Sequence, residues 1–193
     1  MAHQVQITDG TIDVNVEGSS HGITGSRGAH YRVEHSNGWI SSHLFSAVDA
    51  AASVYFHIKV GSTHNPHGSF TLSTEAGVTL EFYENPVLSA DGTALAENCL
   101  NRQTLATSDT SCFYTPTVTA DGTLWEIGLV GTSNTGVTDI GGVKTDRGYW
   151  ILKRNESYLI KITNTDQAAK DIAIAYIWHE HASTFARHPP DKP

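Results

Sequence analysis

The apolar positions of this chain recur with a period of two. Val54, Phe56, Ile58 and Val60 fall on one side of a run from Ser53 to Val60, with Tyr55, His57 and Lys59 on the other. Phe70 and Leu72 repeat the pattern between Gly68 and Thr74. Val78, Leu80 and Phe82 alternate with Thr79, Glu81 and Tyr83 up to Glu84. Further runs span Cys112 to Thr119, Leu124 to Val130, Tyr149 to Lys153, Ser157 to Thr163 and Asp171 to His181. In the last two, Tyr158, Ile160 and Ile162 oppose Lys161 and Thr163, and Ile172, Ile174, Tyr176 and Trp178 oppose Ala173 and Ala175. Such alternation gives each strand one apolar and one polar face, as antiparallel sheets buried on one side require. Two sheets stacked on their apolar faces predict an all-β, antiparallel β-sandwich.

Residues 1–27 stand apart. Ile12, Val14 and Val16 alternate cleanly, and Gly-rich segments around Gly18–Gly22 and Gly25–Gly28 follow. This predicts an N-terminal arm that finds its partner on a neighbour, or equally a first strand of the same sandwich. The sandwich domain then covers 28–185, with a C-terminal tail at 186–193. Leu44 to Ala52 is the one helix-friendly stretch; it is too short to be stable alone and reads as a turn or a helix of one to two turns. Between Asn85 and Ser111 the alternation lapses, and a connection this long predicts a contact surface. Ala90-Asp-Gly-Thr93 is echoed by Ala120-Asp-Gly-Thr123. Asp-Gly marks tight turns, but the echo is too short to establish a duplication. Gly136 to Gly142 reads as a turn.

The 193 residues suffice for one domain with a proper core. A net charge of -8, with 12 scattered basic residues, weighs against a nucleic-acid partner, which needs clustered Lys and Arg. No run approaches the ~20 apolar residues of a membrane helix, so no membrane partner is expected. The first residues lack a basic and then apolar signal, which predicts synthesis in a cytoplasm. Cys99 and Cys112 are accordingly expected to be reduced thiols.

Candidate chemistry is sparse. His179 and His181 lie two apart on a predicted strand and so share a face, while His64 and His67 flank Asn65-Pro66 in an expected turn. Metal-binding barrels with such a pair add a carboxylate a few residues on, whereas here no acid follows until Asp191. The two histidines are therefore only weak metal candidates, and no cofactor is predicted. Glu81, Glu84, Glu126 and Glu180 show no spacing that picks out a glycosidase pair, and read as solvated. No nucleophile elbow or phosphate-binding glycine loop is present, and the chain does not read as an enzyme. Of the tryptophans, Trp150 and Trp178 belong to apolar runs and read as core. Trp39, after Ser36-Asn-Gly38, is the one expected to be exposed, as a subunit-interface anchor or, with Tyr83, a glycan-stacking platform.

Several segments together carry a likeness. They are Leu80-Glu-Phe-Tyr-Glu-Asn-Pro86, Asp91-Gly-Thr-Ala-Leu95, Asn98-Cys-Leu-Asn-Arg102 and Tyr114-Thr-Pro-Thr-Val-Thr-Ala-Asp-Gly-Thr123, followed by Trp150-Ile-Leu-Lys153 and Tyr158-Leu-Ile-Lys-Ile-Thr-Asn164. In this order the chain resembles virion structural proteins of tailed bacteriophages, of the capsid decoration or cement class. The likeness runs from Ser53 to His181. It implies a jelly-roll-like sandwich, commonly a homotrimer, that binds the major capsid protein on the outside of the head and locks neighbouring subunits together. A tail or baseplate location is the alternative. The resemblance implies no catalytic residues. It points to Asn101 and Arg102 as contact residues, while Cys99 departs from its pattern, in which a polar residue is usual.

Overall fold

A computed structural model of the chain describes residues 4–8, 11–15, 37–74, 77–103, 106–130, 136–140 and 150–182. Every regular element among them is a strand. β1 (Gln4–Thr8) and β2 (Thr11–Asn15) pair antiparallel in a sheet of their own. Then come β3 (Gly38–Val48), β4 (Ser53–Val60), β5 (His64–Thr74), β6 (Val78–Glu84), β7 (Val87–Ala90), β8 (Thr93–Ala94), β9 (Asn98–Cys99) and β10 (Thr110–Tyr114). The series ends with β11 (Thr117–Ala120), β12 (Thr123–Val130), β13 (Gly136–Ile140), β14 (Trp150–Ile151), β15 (Ser157–Asn164) and β16 (Lys170–Ala182).

Two antiparallel sheets form the body. The first runs β12-β6-β15-β4-β10-β8 and the second β13-β5-β16-β3-β9, with β14 also on β5. β7 and β11 pair separately as a short ribbon. The predicted apolar faces meet between the sheets: Phe56, Ile58, Leu80, Phe82 and Ile160 from the first, Phe70, Leu72, Ile172, Ile174, Tyr176 and Trp178 from the second, all essentially inaccessible. Phe70 stands edge-on to Phe82 across the gap, with ring centroids 6.2 Å apart. Each large apolar side chain so buried contributes about 1.5–3 kcal/mol before ordering costs. The antiparallel β-sandwich is thus the architecture of the chain, as the alternation predicts.

Several local expectations are corrected. The helix-friendly stretch from Leu44 is strand as far as Val48, because Phe45 pairs with Ile172 and faces the core. Pairing along β16 outweighs a weak local helix preference. The strand ends at a register shift, where Ala47 takes positive φ and its N–H donates to Asp171 Oδ1 at 2.8 Å. His64 and His67 lie within β5 rather than in a turn, and Gly136 to Ile140 is strand. The 85–111 connection is not one loop, since it carries β7, β8 and β9. Cys99 and Cys112 are both buried and are not bridged to each other.

Glu180 overturns its reading as a solvated carboxylate. It continues the inward row of β16 after Trp178 and is 5% exposed. Its oxygens accept from Ser108 Oγ (2.6 Å), from the N–H groups of Asp109 and Thr110 (both 3.0 Å) and from Trp178 Nε1 (3.2 Å). A buried carboxylate is tolerated when donors replace its lost water. Here they fasten the segment before β10 to the second sheet.

Candidate interaction surfaces

The Asp-Gly echo is a structural repeat. β6, β7 and β8 are matched by β10, β11 and β12, with Pro86 corresponding to Pro116 and Asp91 to Asp121. Thr93 of β8 pairs with Tyr114, and its counterpart Thr123 of β12 pairs with Glu84. Within the ribbon Val87 faces Ala120, Leu88 faces Val118 and Ala90 faces Thr117, a register that maps onto itself. Asn85 and Thr115 both take positive φ (56° and 50°). Their N–H groups donate to Ser157 O (2.9 Å) and Tyr55 O (3.2 Å). β4 and β15 obey the same relation: Lys59 faces Ser157 and Lys161 faces Tyr55. An approximate two-fold axis therefore passes through the pairs His57–Leu159 and Leu88–Val118.

The ribbon folds back over the outer face of the first sheet. Lys59 Nζ reaches Asp91 Oδ2 at 2.6 Å, and Lys161 Nζ reaches Asp121 Oδ2 at 3.1 Å and Glu81 Oε2 at 3.7 Å. His57 Nδ1 lies 3.1 Å from the Asp91 carbonyl oxygen, and its ring stacks on Phe113 at 5.3 Å. His57 and Leu159, on the nominally solvent-facing side, are consequently both fully buried. Burial lowers the His57 pKa, which the Asp91 carbonyl and carboxylate raise in part. The Lys–Asp pairs are partly exposed and worth roughly 0.2–1 kcal/mol each. They orient the turns more than they stabilise the fold.

Trp39, expected at the surface, is only 3% exposed. It sits opposite Cys99 and Trp178, stacks on Trp178 at 6.4 Å and directs Nε1 towards Ala106 O at 3.5 Å. Its alternation with Ser41 and His43 hides an inward face, because the intervening core positions are polar residues. Tyr83 is also buried, with its hydroxyl donating to Glu81 Oε1 at 3.0 Å and its pKa pushed up by burial to about 12. Neither ring offers a free platform for a sugar. Trp150 is half-buried against Phe70 and Phe82.

Asn101 and Arg102 lie at the turn after β9. Asn101 Oδ1 accepts from Gln103 N–H at 3.0 Å, which shapes the turn and leaves Arg102 exposed. The structure thus keeps Arg102 available to a partner and gives Asn101 a local role as well. His179 faces His67 across β16 and β5, with rings 5.0 Å apart. The His181 side chain, residues 1–3, 9–10 and 16–27 of the expected arm and the 186–193 tail lie outside the described residues. Among the described residues no group of three or more His, Cys, Asp or Glu is placed to hold a metal ion. Among them, too, no helix is long and apolar enough to cross a membrane.

Two further surfaces were not singled out by the sequence reading. On the outer face of the second sheet a shallow groove of about 460 Å³ is lined mainly by Ser42, Leu44, Thr71, Ser73, Ala173 and Ala175. At the border of the first sheet, β12 leaves Leu124, Trp125, Ile127 and Leu129 exposed. Trp125 rests on Phe82 with ring centroids 5.3 Å apart, while Ile127 and Leu129 project from the outer face. Compared with known proteins, the chain matches no family model, no curated protein and no solved structure.

Proposed function

We propose that the protein is a non-enzymatic virion component that decorates the outer surface of a bacteriophage capsid and bridges major capsid protein subunits. One observation supports this reading above the others. Three of the six segments that carry the resemblance, Leu80–Pro86, Asp91–Leu95 and Tyr114–Thr123, fall in the doubled motif and its turns. A sandwich braced on its outer face in this way is a rigid block, suited to holding lattice subunits at fixed spacing. A jelly-roll-like chain path and a homotrimer belong to the same proposal, since three-fold closure fits a lattice and multiplies weak contacts. The lattice contacts are assigned to residues 1–27, to the Asn85–Ser111 segment with Arg102 at its exposed turn, or to both.

Retention on undecorated heads is the test. The intact protein should co-sediment with empty capsids at saturable stoichiometry and raise their resistance to heat or low salt. Removal of residues 1–27 should weaken retention while thermal unfolding of the sandwich persists. Absence of binding to heads, together with labelling of tails on intact virions, would transfer the protein to the tail or baseplate.

A further inference from the structure

We propose that Trp125 is the stacking platform of a saccharide-binding site at one end of the sandwich, with Glu84 and Lys153 as its hydrogen-bonding flank. This goes beyond the capsid reading and does not depend on it.

The site is built around Phe82, where the core reaches the surface. Trp125 lies over Phe82 with ring centroids 5.3 Å apart and planes 22° from parallel. Trp150 and Tyr158 stack on the same phenyl ring at 4.9 Å and 5.8 Å, and stand 6.2 Å and 6.3 Å from Trp125. One face of the indole is thus held by other rings, yet Trp125 is 49% exposed. Its accessible half lies on the face turned away from Phe82. A ring packed from beneath in this way has little side-chain freedom left to lose when a ligand lands on it.

A β-bulge sets the ring in place. The register shift between Leu124 and Glu126 leaves Trp125 between Leu124, opposite Tyr83, and Glu126, opposite Phe82. Bulges re-aim side chains and recur beside functional sites. Polar groups converge next to the ring. Tyr158 Oη accepts from the Lys153 N–H at 2.9 Å and donates to Glu84 Oε1 at 3.5 Å, which Lys153 Nζ reaches at 2.6 Å. The Glu84 and Lys153 side chains are 23% and 68% exposed, so both meet water that a ligand would replace.

This combination of groups selects the ligand. A pyranose has an apolar C–H face that settles on the indole π cloud, and hydroxyls that donate to a carboxylate and accept from an ammonium. A small cation is a poorer match, because Lys153 already pairs with Glu84 and repels a second positive charge. One ring face falls far short of the roughly 1,000 Å² that a specific protein partner needs, but it suits a single sugar unit. Trp39 and Tyr83, the rings that the sequence favours for this role, are enclosed, and Trp125 takes their place.

The intact protein is tested on an array of neutral oligosaccharides, and the affinity for a bound glycan is then measured by calorimetry. The wild type should bind at least one pyranose ligand saturably, with a blue shift of tryptophan emission. Trp125→Ala should weaken binding by about tenfold or more, as loss of an aromatic anchor does. Trp125→Tyr keeps a ring over Phe82 and should restore part of the affinity; it carries the comparison if alanine lowers the thermal midpoint. Glu84→Gln should weaken binding several-fold and leave the blue shift in place. No glycan bound, an affinity unchanged in both Trp125 variants, or saturable binding of tetramethylammonium in place of any glycan would each overturn the proposal. Head retention is a separate measurement, so failure here leaves the capsid reading to be judged by its own assay.

Discussion

His57 and Leu159 face each other directly across β4 and β15, on the axis that relates the two halves of the first sheet, and both are fully buried. The same environment is thus filled by an imidazole on one side and an isobutyl group on the other. Everything around the pair is duplicated in kind: a Lys–Asp contact, an Asp-Gly turn and a positive-φ residue before proline. The protein has built one outer brace twice and placed an ionisable group at one of two related positions.

That placement makes stability depend on pH. His57 Nε2 is buried with no hydrogen-bond partner among the described residues, and burial lowers the pKa, as it does for His43. The unfolded chain therefore takes up these protons first, near pH ~6.5. Stability is fully present above that value and is lost as pH falls through it towards the lower folded pKa. Each such histidine adds a slope of at most about 1.4 kcal/mol per pH unit. His57→Leu, which copies Leu159, should flatten the dependence measured by urea unfolding between about pH 8 and about pH 5. Superimposable profiles for the two proteins would remove His57 from the account.

The two Asp-Gly turns should respond alike to substitution. Gly92 and Gly122 have φ of 100° and 97°, and a Cβ would run into the Tyr114 and Glu84 carbonyl oxygens respectively. Alanine at either position forces both a rare backbone conformation and a backbone clash, at a cost of about 1–3 kcal/mol. Asp91→Asn and Asp121→Asn remove only partly exposed ion pairs and should cost under about 1 kcal/mol. Thermal unfolding of the four variants checks the ordering. Equal effects of glycine and aspartate changes would show that the charges, not the turn geometry, hold the ribbon.

The sandwich was legible because β4, β6, β15 and β16 each declare a two-residue period over seven or more residues; β3 is longer still and does not. Strands of two to four residues, such as β7, β8 and β9, contain too few positions to show one, and their pairing depends on distant partners. Trp39 escaped for a different reason. Its inward row continues through Ser41 and His43, polar residues that the fold buries or half-buries. The repeat was read only as Ala-Asp-Gly-Thr, although Pro86 and Pro116 also stand in register four residues before each Ala; most of the rest shares backbone geometry more than side chains. β12 was read as one more sandwich strand; that it lies at a border is a property of sheet order, which periodicity alone does not specify.

Glu180 sits on the apolar face of β16 by parity with Ile172, Ile174, Tyr176 and Trp178, yet only the structure shows what stabilises it there. Its donors come from Ser108, Asp109 and Thr110, more than 70 residues earlier except for Thr110, which is separated by 70, and from Trp178 on its own strand. Glu180→Ala leaves the Asp109 N–H without its acceptor, at about 1–3 kcal/mol if water does not reach it. The Thr110 N–H and Trp178 Nε1 still donate to Ser108 Oγ, and Ser108 Oγ to Thr110 O. The expected outcome is a loss of about 1–3 kcal/mol, with the segment before β10 opening first. Glu180→Gln retains one acceptor oxygen and should fall between alanine and wild type. Hydrogen exchange at Asp109 and Thr110 provides the local readout beside global denaturation. Unchanged protection of those two amides in the alanine variant would show that the carboxylate is not what fastens this segment to the second sheet.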